Sequence, residues 1–266
     1  MHSNSGITTL RRVNPYVKLM RLDRPVGSLL LLWPTLAALW MAADGWPNPV
    51  LIVIFTLGTF LMRSAGCVIN DFADRDLDGA VERTRDRPLA TGEVTTRGAW
   101  ILFAALVGTC GLLILLFNRA TQLLAVGGLV IAILYPFMKR WTYLPQVVLG
   151  AAFSWGIPMA WTATSGELKA EAFLMFTASL LWIVAYDTLY AMVDRDDDLK
   201  VGIKSTAILF GNLDRLMVGV LQISALWGFL MLGSQLEYVG FYYLGLLGAG
   251  ALFVYQQWLI RRRDRG

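Results

Sequence analysis

Asn70-Asp71-Phe72-Ala73-Asp74-Arg75-Asp76-Leu77-Asp78 places four carboxylates in one short stretch directly after a long apolar run. On a helix, Asn70, Asp74 and Asp78 stack along one face at i, i+4 and i+8, and Asp71 lies on the edge of that face. Like charges this close repel, so their retention calls for a partner. A hard divalent cation is such a partner. Mg²⁺ takes one or two carboxylates and leaves its other positions to phosphate oxygens and water. A second stretch, Asp187-Thr188-Leu189-Tyr190-Ala191-Met192-Val193-Asp194-Arg195-Asp196-Asp197-Asp198, repeats the design. Tyr190, Asp194 and Asp198 share a face, and Asp187 joins it two turns earlier. Either stretch alone also reads as a solvated helix end with turn aspartates. Together they hold nine of the 19 acidic residues, a concentration that solubility does not explain. Two such helix ends facing each other across one cavity would hold metal ions and a polyanion between them.

The rest of the chain must position these groups. It is 56% hydrophobic and 16% charged, with mean hydropathy +0.56, the composition of an integral membrane protein. Its one histidine, His2, stands at the N-terminus, so metal binding and acid–base chemistry fall to carboxylates, Lys, Arg and Tyr. Cys67 and Cys110 both sit in apolar runs and imply no disulfide framework. Residues 1–24 are polar and basic and lack the pattern of a cleaved signal peptide.

Spanning-length apolar runs recur near 26–42, 50–69, 98–117, 121–138, 145–163, 171–190, 213–233 and 239–260. The expected fold is all-α, a polytopic membrane bundle of eight transmembrane helices in one domain. Pro34, Pro158 and the Gly127-Gly128 pair within these runs mark close packing. An acidic motif ends the second helix and again the sixth, a pattern of two pseudo-repeated halves around a central cavity. Of the 23 Lys and Arg residues, all but Arg63, Arg119 and Lys169 fall on one side of this topology. The positive-inside rule makes that side cytoplasmic, with residues 1–24 and the site loops 70–97 and 191–212 upon it.

Basic groups complete the set. Arg63 lies two turns before Asn70, about 10 Å deeper in the same helix. A charge inside a spanning segment faces a cavity or an ion partner; here it either serves assembly or grips an anionic substrate group. The loop Glu82-Arg83-Thr84-Arg85-Asp86-Arg87-Pro88-Leu89 is rich in arginine, whose planar fork suits phosphate, although plain positive-inside charge explains it equally well. Lys139-Arg140 and Lys204-Ser205-Thr206 are further candidates for a diphosphate. Mg²⁺ and these cations around a diphosphate would drive ionisation of an allylic diphosphate by stabilising the leaving group, within an apolar cavity that excludes water.

The motifs Asn70-Asp71-x-x-Asp74-x-x-x-Asp78, Arg83-Thr84-x-x-Arg87-Pro88-Leu89 and Asp187-x-x-Tyr190-Ala191-x-x-Asp194-x-x-x-Asp198 resemble the UbiA superfamily of intramembrane prenyltransferases. Leu30-Leu-Leu-Trp-Pro-Thr35, Tyr135-Pro-Phe-Met-Lys-Arg140, Leu144-Pro-Gln-Val-Val-Leu-Gly150 and Gly202-Ile-Lys-Ser-Thr-Ala-Ile-Leu-Phe-Gly211 look like its bacterial 4-hydroxybenzoate branch, in ubiquinone biosynthesis. The resemblance covers residues 15 to 260. It implies transfer of a polyprenyl group from polyprenyl diphosphate to the 3-position of 4-hydroxybenzoate in the bacterial inner membrane. It also implies Mg²⁺ held by Asp71, Asp74, Asp78, Asp187, Asp194 and Asp198, with Asn70 orienting the first site. Lys139, Arg140 and Lys204 would contact diphosphate, supported by Arg75. Arg63 or Arg140 would receive the benzoate carboxylate, and Tyr190 or Asp187 would position or deprotonate the phenol. The family usually carries a ninth transmembrane helix, whereas this sequence ends after the eighth.

Three other readings compete. A sister enzyme would take dihydroxynaphthoate, homogentisate, haem or chlorophyllide instead. A cation transporter would place its acidic motifs near the bilayer midplane and not at helix ends beside arginine. A silent lipid-binding scaffold would have little need of intact carboxylates in both motifs.

Overall fold

The computed structural model describes residues 13–79 and 84–262. Arg11, Arg12, Glu82, Arg83, Arg263 and Arg265 lie outside the described residues. The described chain is helical, beginning with the short α1 (Pro15–Leu19) and continuing into α2 (Val26–Ala43), α3 (Pro49–Asp78), α4 (Thr96–Ile114) and α5 (Arg119–Trp141). Then follow α6 (Pro145–Ser154), α7 (Gly156–Ser165), α8 (Ala170–Val201), α9 (Thr206–Phe210), α10 (Asp214–Gln235) and α11 (Phe241–Leu259). Eight segments among them are long and apolar enough to cross a membrane, with α6–α7 serving together as one and α9–α10 as another. This is a multi-pass membrane bundle.

Local chemistry sets the ends. The side chains of Thr95 and Asn118 accept the Gly98 and Thr121 backbone N–H groups at 3.1 and 2.9 Å, capping α4 and α5. Gly202 ends α8 at φ 74°, a conformation that glycine adopts without steric cost. The 145–163 run is interrupted at Trp155. Pro158 explains the break. Its ring would clash with the carbonyl four residues back in a continuous helix, whereas in the first turn of α7 its missing N–H leaves no bond unmade. Trp155 fills the resulting corner by donating its indole N–H to the Leu124 carbonyl at 2.6 Å. Gly127 and Gly128 make room for the ring, because a Cβ on Gly128 would fall 2.6 Å from Trp155 Cδ1.

The main buried cluster joins Ala38, Leu39, Phe55, Ile157, Ala160, Trp161, Ala172, Met175 and Leu232. In chain order these lie toward the helix ends remote from the acidic motifs, so a packed floor closes one end and the polar groups gather at the other. Large apolar side chains such as Ile223, Trp227 and Val254 face outward, as lipid-facing surfaces require. Helices α8 and α10 pack closest through Gly228, where a Cβ would meet Ala178 Cβ at 2.8 Å. Gly228→Leu is therefore expected to lower the thermal midpoint in detergent, since overpacking costs about 1–3 kcal/mol.

The structure also revises the ends of the two acidic segments. Residues 70–78 and 191–201 are not loop but uninterrupted continuations of α3 and α8. Their carboxylates are thus carried on rigid helix that projects past the apolar part of each span.

Candidate active site

Helices α3 and α8 bring the two motifs to the same end of the bundle. Between them lies an open cleft, lined among others by Asn70, Lys139, Asp187, Tyr190, Asp194, Asp198 and Lys204. The α5 terminus and the α8–α9 connection meet there, where the Lys204 N–H donates to the Lys139 carbonyl at 2.9 Å. Gln146 of α6 accepts the Thr206 N–H at 3.0 Å, and the Thr188 and Thr206 hydroxyls share a hydrogen bond at 2.7 Å. These bonds fix the segment carrying Lys204 against α6 and α8.

The first motif is almost wholly buried; Asp71, Asp74 and Asp78 are only 1, 3 and 4% exposed. One guanidinium nitrogen gathers them. Arg87 Nη1 lies 3.2 Å from Asp71 Oδ1, 3.8 Å from Asp74 Oδ2 and 3.0 Å from Asp78 Oδ2. Arg21 Nη2 adds a two-oxygen contact to Asp71 at 2.8 and 2.9 Å, and Lys139 Nζ pairs with Asp74. Arg21 adopts φ 56°, an unfavourable backbone for a residue with a side chain. The strained turn also lets Nη1 donate to the Lys18 carbonyl at 2.7 Å, so the two ion-pair contacts and this bond together hold it. Burial pushes the Asp78 carboxyl upward from its ordinary pKa, while the Arg87 guanidinium opposes the shift.

The remaining expected site residues divide. Arg63 sits deeper, with its guanidinium 5.3 Å from the Phe153 ring centroid and packed on Gly27, where a Cβ would lie 2.9 Å from Arg63 Nη2. Its Nε is buried with no hydrogen-bond partner. Arg140 donates to the Ala73 carbonyl and lies over Phe137. Lys204 contacts the Trp141 carbonyl at 3.3 Å and borders the Tyr143 ring. Tyr190 is 62% exposed on the cleft wall. Arg75 is not brought to the cleft. It lies over the Phe72 ring at 4.7 Å and pairs with exposed Asp76 at 3.4 Å. Arg75→Ala should therefore leave turnover within about twofold of the unaltered chain, as for most exposed substitutions, measured as initial rate at saturating substrates.

Sequence patterns alone do not mark Arg21, Tyr135, Gln146 or Tyr186 as site residues. Tyr135 and Gln146 line the cleft, and the Tyr186 hydroxyl is buried without a partner. Arg21 reads in the sequence as one more basic residue of the N-terminal segment. Its partner lies 50 positions away, which no local pattern reveals.

The donor set fits a hard divalent ion. Its ligands are oxygen, three carboxylates already converge on one cationic nitrogen, and Asp74 Oδ1 is buried without a hydrogen-bond partner. Among the described residues no three acidic, His or Cys side chains form a ready-made metal cage; the geometric centre of the first motif is held by Arg87.

Comparison with known proteins agrees with this architecture. A profile of the UbiA prenyltransferase family matches residues 31–266. The 4-hydroxybenzoate octaprenyltransferase of Pseudomonas aeruginosa (strain UCBPP-PA14) is 58% identical over 262 residues, spanning 97% of this chain and 88% of its own. The Pseudomonas putida (strain GB-1) protein of that name is 56% identical over 263 residues, spanning 97% and 89%. The apo structure of a UbiA homolog from Aeropyrum pernix K1 matches with TM-score 0.81 at 25% identity, over 91% of this chain and 92% of that one. A UbiA homolog from Archaeoglobus fulgidus bound to GPP and Mg²⁺ shares the fold at TM-score 0.76 and 19% identity, over 95% and 89%. A polytopic helical bundle, two acidic helix ends meeting at one cleft, and relatives of this similarity place the chain in the UbiA prenyltransferase family.

Proposed function

We propose that the chain transfers a polyprenyl group from polyprenyl diphosphate to the 3-position of 4-hydroxybenzoate, releasing diphosphate, as in ubiquinone biosynthesis. The observation that carries this reading is the cleft itself. Asn70 of the first motif, Asp187, Asp194 and Asp198 of the second, and Lys139 and Lys204 line one space, and Lys139 links that space to Asp74 of the first motif. The relatives named as 4-hydroxybenzoate octaprenyltransferases support the acceptor. The metal-bound relative supports a divalent ion.

The carboxylates of Asp71, Asp74, Asp78, Asp187, Asp194 and Asp198 would hold Mg²⁺. When bound, the metal supplies Lewis-acid neutralisation of the diphosphate. Lys139 and Lys204 take charge that develops on the diphosphate oxygens as its bond to the prenyl C1 breaks. The surrounding helices keep bulk water from the resulting allylic cation. Arg63 would bind the benzoate carboxylate, so that the ring carbon ortho to the hydroxyl faces that cation. A carbon–carbon bond forms there, and the ring proton at the same carbon leaves with the released diphosphate, restoring the aromatic ring. Asp187 is the cleft carboxylate suited to hold the phenol proton while the bond forms and to return it afterwards, and the Tyr190 hydroxyl is suited to orient the ring.

By charge asymmetry the site end faces the cytoplasm of a bacterial plasma membrane, with the whole chain forming a single membrane domain. The deciding experiment is incorporation of radiolabelled 4-hydroxybenzoate into lipid-extractable product by membranes carrying the chain, supplied with a polyprenyl diphosphate. Product with Mg²⁺ and none with EDTA supports the proposal. No product in Mg²⁺, but product with another aromatic acid, would replace the acceptor.

A further inference from the structure

Among the described residues the first motif is electrically balanced as it stands. The three carboxylates of Asp71, Asp74 and Asp78 are met directly by the three described cations Arg21, Arg87 and Lys139. A divalent ion entering alone finds no net negative charge, and it must displace Arg87 Nη1 from the point where the carboxylates converge. The Arg87 side chain is only 15% exposed, and a guanidinium left unpaired at such depth is strongly disfavoured. A diphosphate changes the balance, since its oxygens offer a displaced guanidinium a bidentate partner.

We propose that Arg87 is a resident counter-ion. It keeps the first motif gathered and neutral, and it makes metal loading there depend on simultaneous arrival of the diphosphate. This inference rests on reading the cleft as a prenyl-diphosphate site. The backbone around Arg87 is suited to the task, because it is fastened while the side chain is long and rotatable. The Arg87 N–H donates to the Thr84 carbonyl at 3.0 Å, and the Arg87 carbonyl accepts from Thr91 N at 2.9 Å. The Thr84 hydroxyl ties this turn to the Asp78 carbonyl at 3.1 Å. Exchange therefore requires rotation of one side chain and no refolding of the segment. Premature metal binding is avoided, and the metal enters with the group whose departure it assists.

The test is a Mn²⁺ titration by electron paramagnetic resonance on the full chain in nanodiscs. It is run with and without geranyl S-thiolodiphosphate, whose C–S bond resists ionisation, and in the absence of aromatic acid. Only Mn²⁺ binding lost on D78N is attributed to the first motif. The unaltered chain should bind this Mn²⁺ at least about tenfold more tightly with the analogue than without it. R87Q should match that tightening with no analogue present, gain less than about threefold from adding it, and lose the site in R87Q/D78N. R87K keeps the charge but reaches fewer oxygens, and should lie between at about threefold; it also serves if R87Q does not fold. Analogue binding with R87Q and R87K both at the unaltered Mn²⁺ affinity would overturn the counter-ion role alone. An analogue that binds no form of the chain would remove the prenyl-diphosphate reading and this proposal with it.

Discussion

Asp74→Asn and Asp194→Asn are each expected to reduce prenyl transfer by roughly 10²–10³-fold, the scale of losing one preorganised charge-stabilising group. The two residues come from different halves of the chain and from helices α3 and α8. Equal severity would thus show that both motifs serve one reaction. Asparagine keeps the side-chain shape but removes the negative charge that a hard divalent ion selects. At Asp74 the substitution also deprives Lys139 of its carboxylate partner, so thermal midpoints must accompany the rates. Initial rates measured across a Mg²⁺ series separate the outcomes. A defect that added Mg²⁺ fully repairs would indicate weakened affinity only. Activity within tenfold of the unaltered chain in a folded variant would exclude that residue from the catalytic set.

Arg63→Ala is expected to raise the KM for 4-hydroxybenzoate by about 10- to 100-fold, the equivalent of one hydrogen bond to a charged group. The KM for polyprenyl diphosphate should stay unchanged. The structure favours Arg63 over Arg140 for this role. Arg140 is already engaged by the Ala73 carbonyl, whereas Arg63 is braced between Gly27 and the Phe153 ring with a buried nitrogen lacking a partner. Bracing limits the rotamer freedom lost on binding, so more of the interaction reaches affinity. A phenol lacking the carboxylate should be used equally poorly by both forms. An unchanged KM for the acid in Arg63→Ala would remove Arg63 from acceptor binding.

Much of this site is legible in the sequence because its signals are local. Acidic residues at helical spacing after spanning-length apolar runs carry their meaning where they stand, since burying or clustering charge is unfavourable unless something binds it. The eight spans are legible for a comparable reason, as bilayer thickness sets the length of an apolar run. Helix ends are less legible. Residues 70–78 and 191–201 have helical spacing yet also fall within the expected site loops 70–97 and 191–212, and they continue α3 and α8. The packing of the α3 continuation explains part of this: Asp71, Asp74 and Asp78 are buried against basic partners from distant segments.

Composition and spacing determined that this chain is a multi-pass helical membrane bundle, and that two acidic helix faces follow two of its apolar spans. Tertiary structure decided which cations meet which carboxylates. It directed Arg75 away to Phe72 and Asp76, recruited Arg21 from a strained turn, and set Arg87 at the centre of the first motif. Side-chain periodicity acts over a few residues, whereas a buried charge is neutralised by whichever opposite charge the fold brings near, at any separation along the chain.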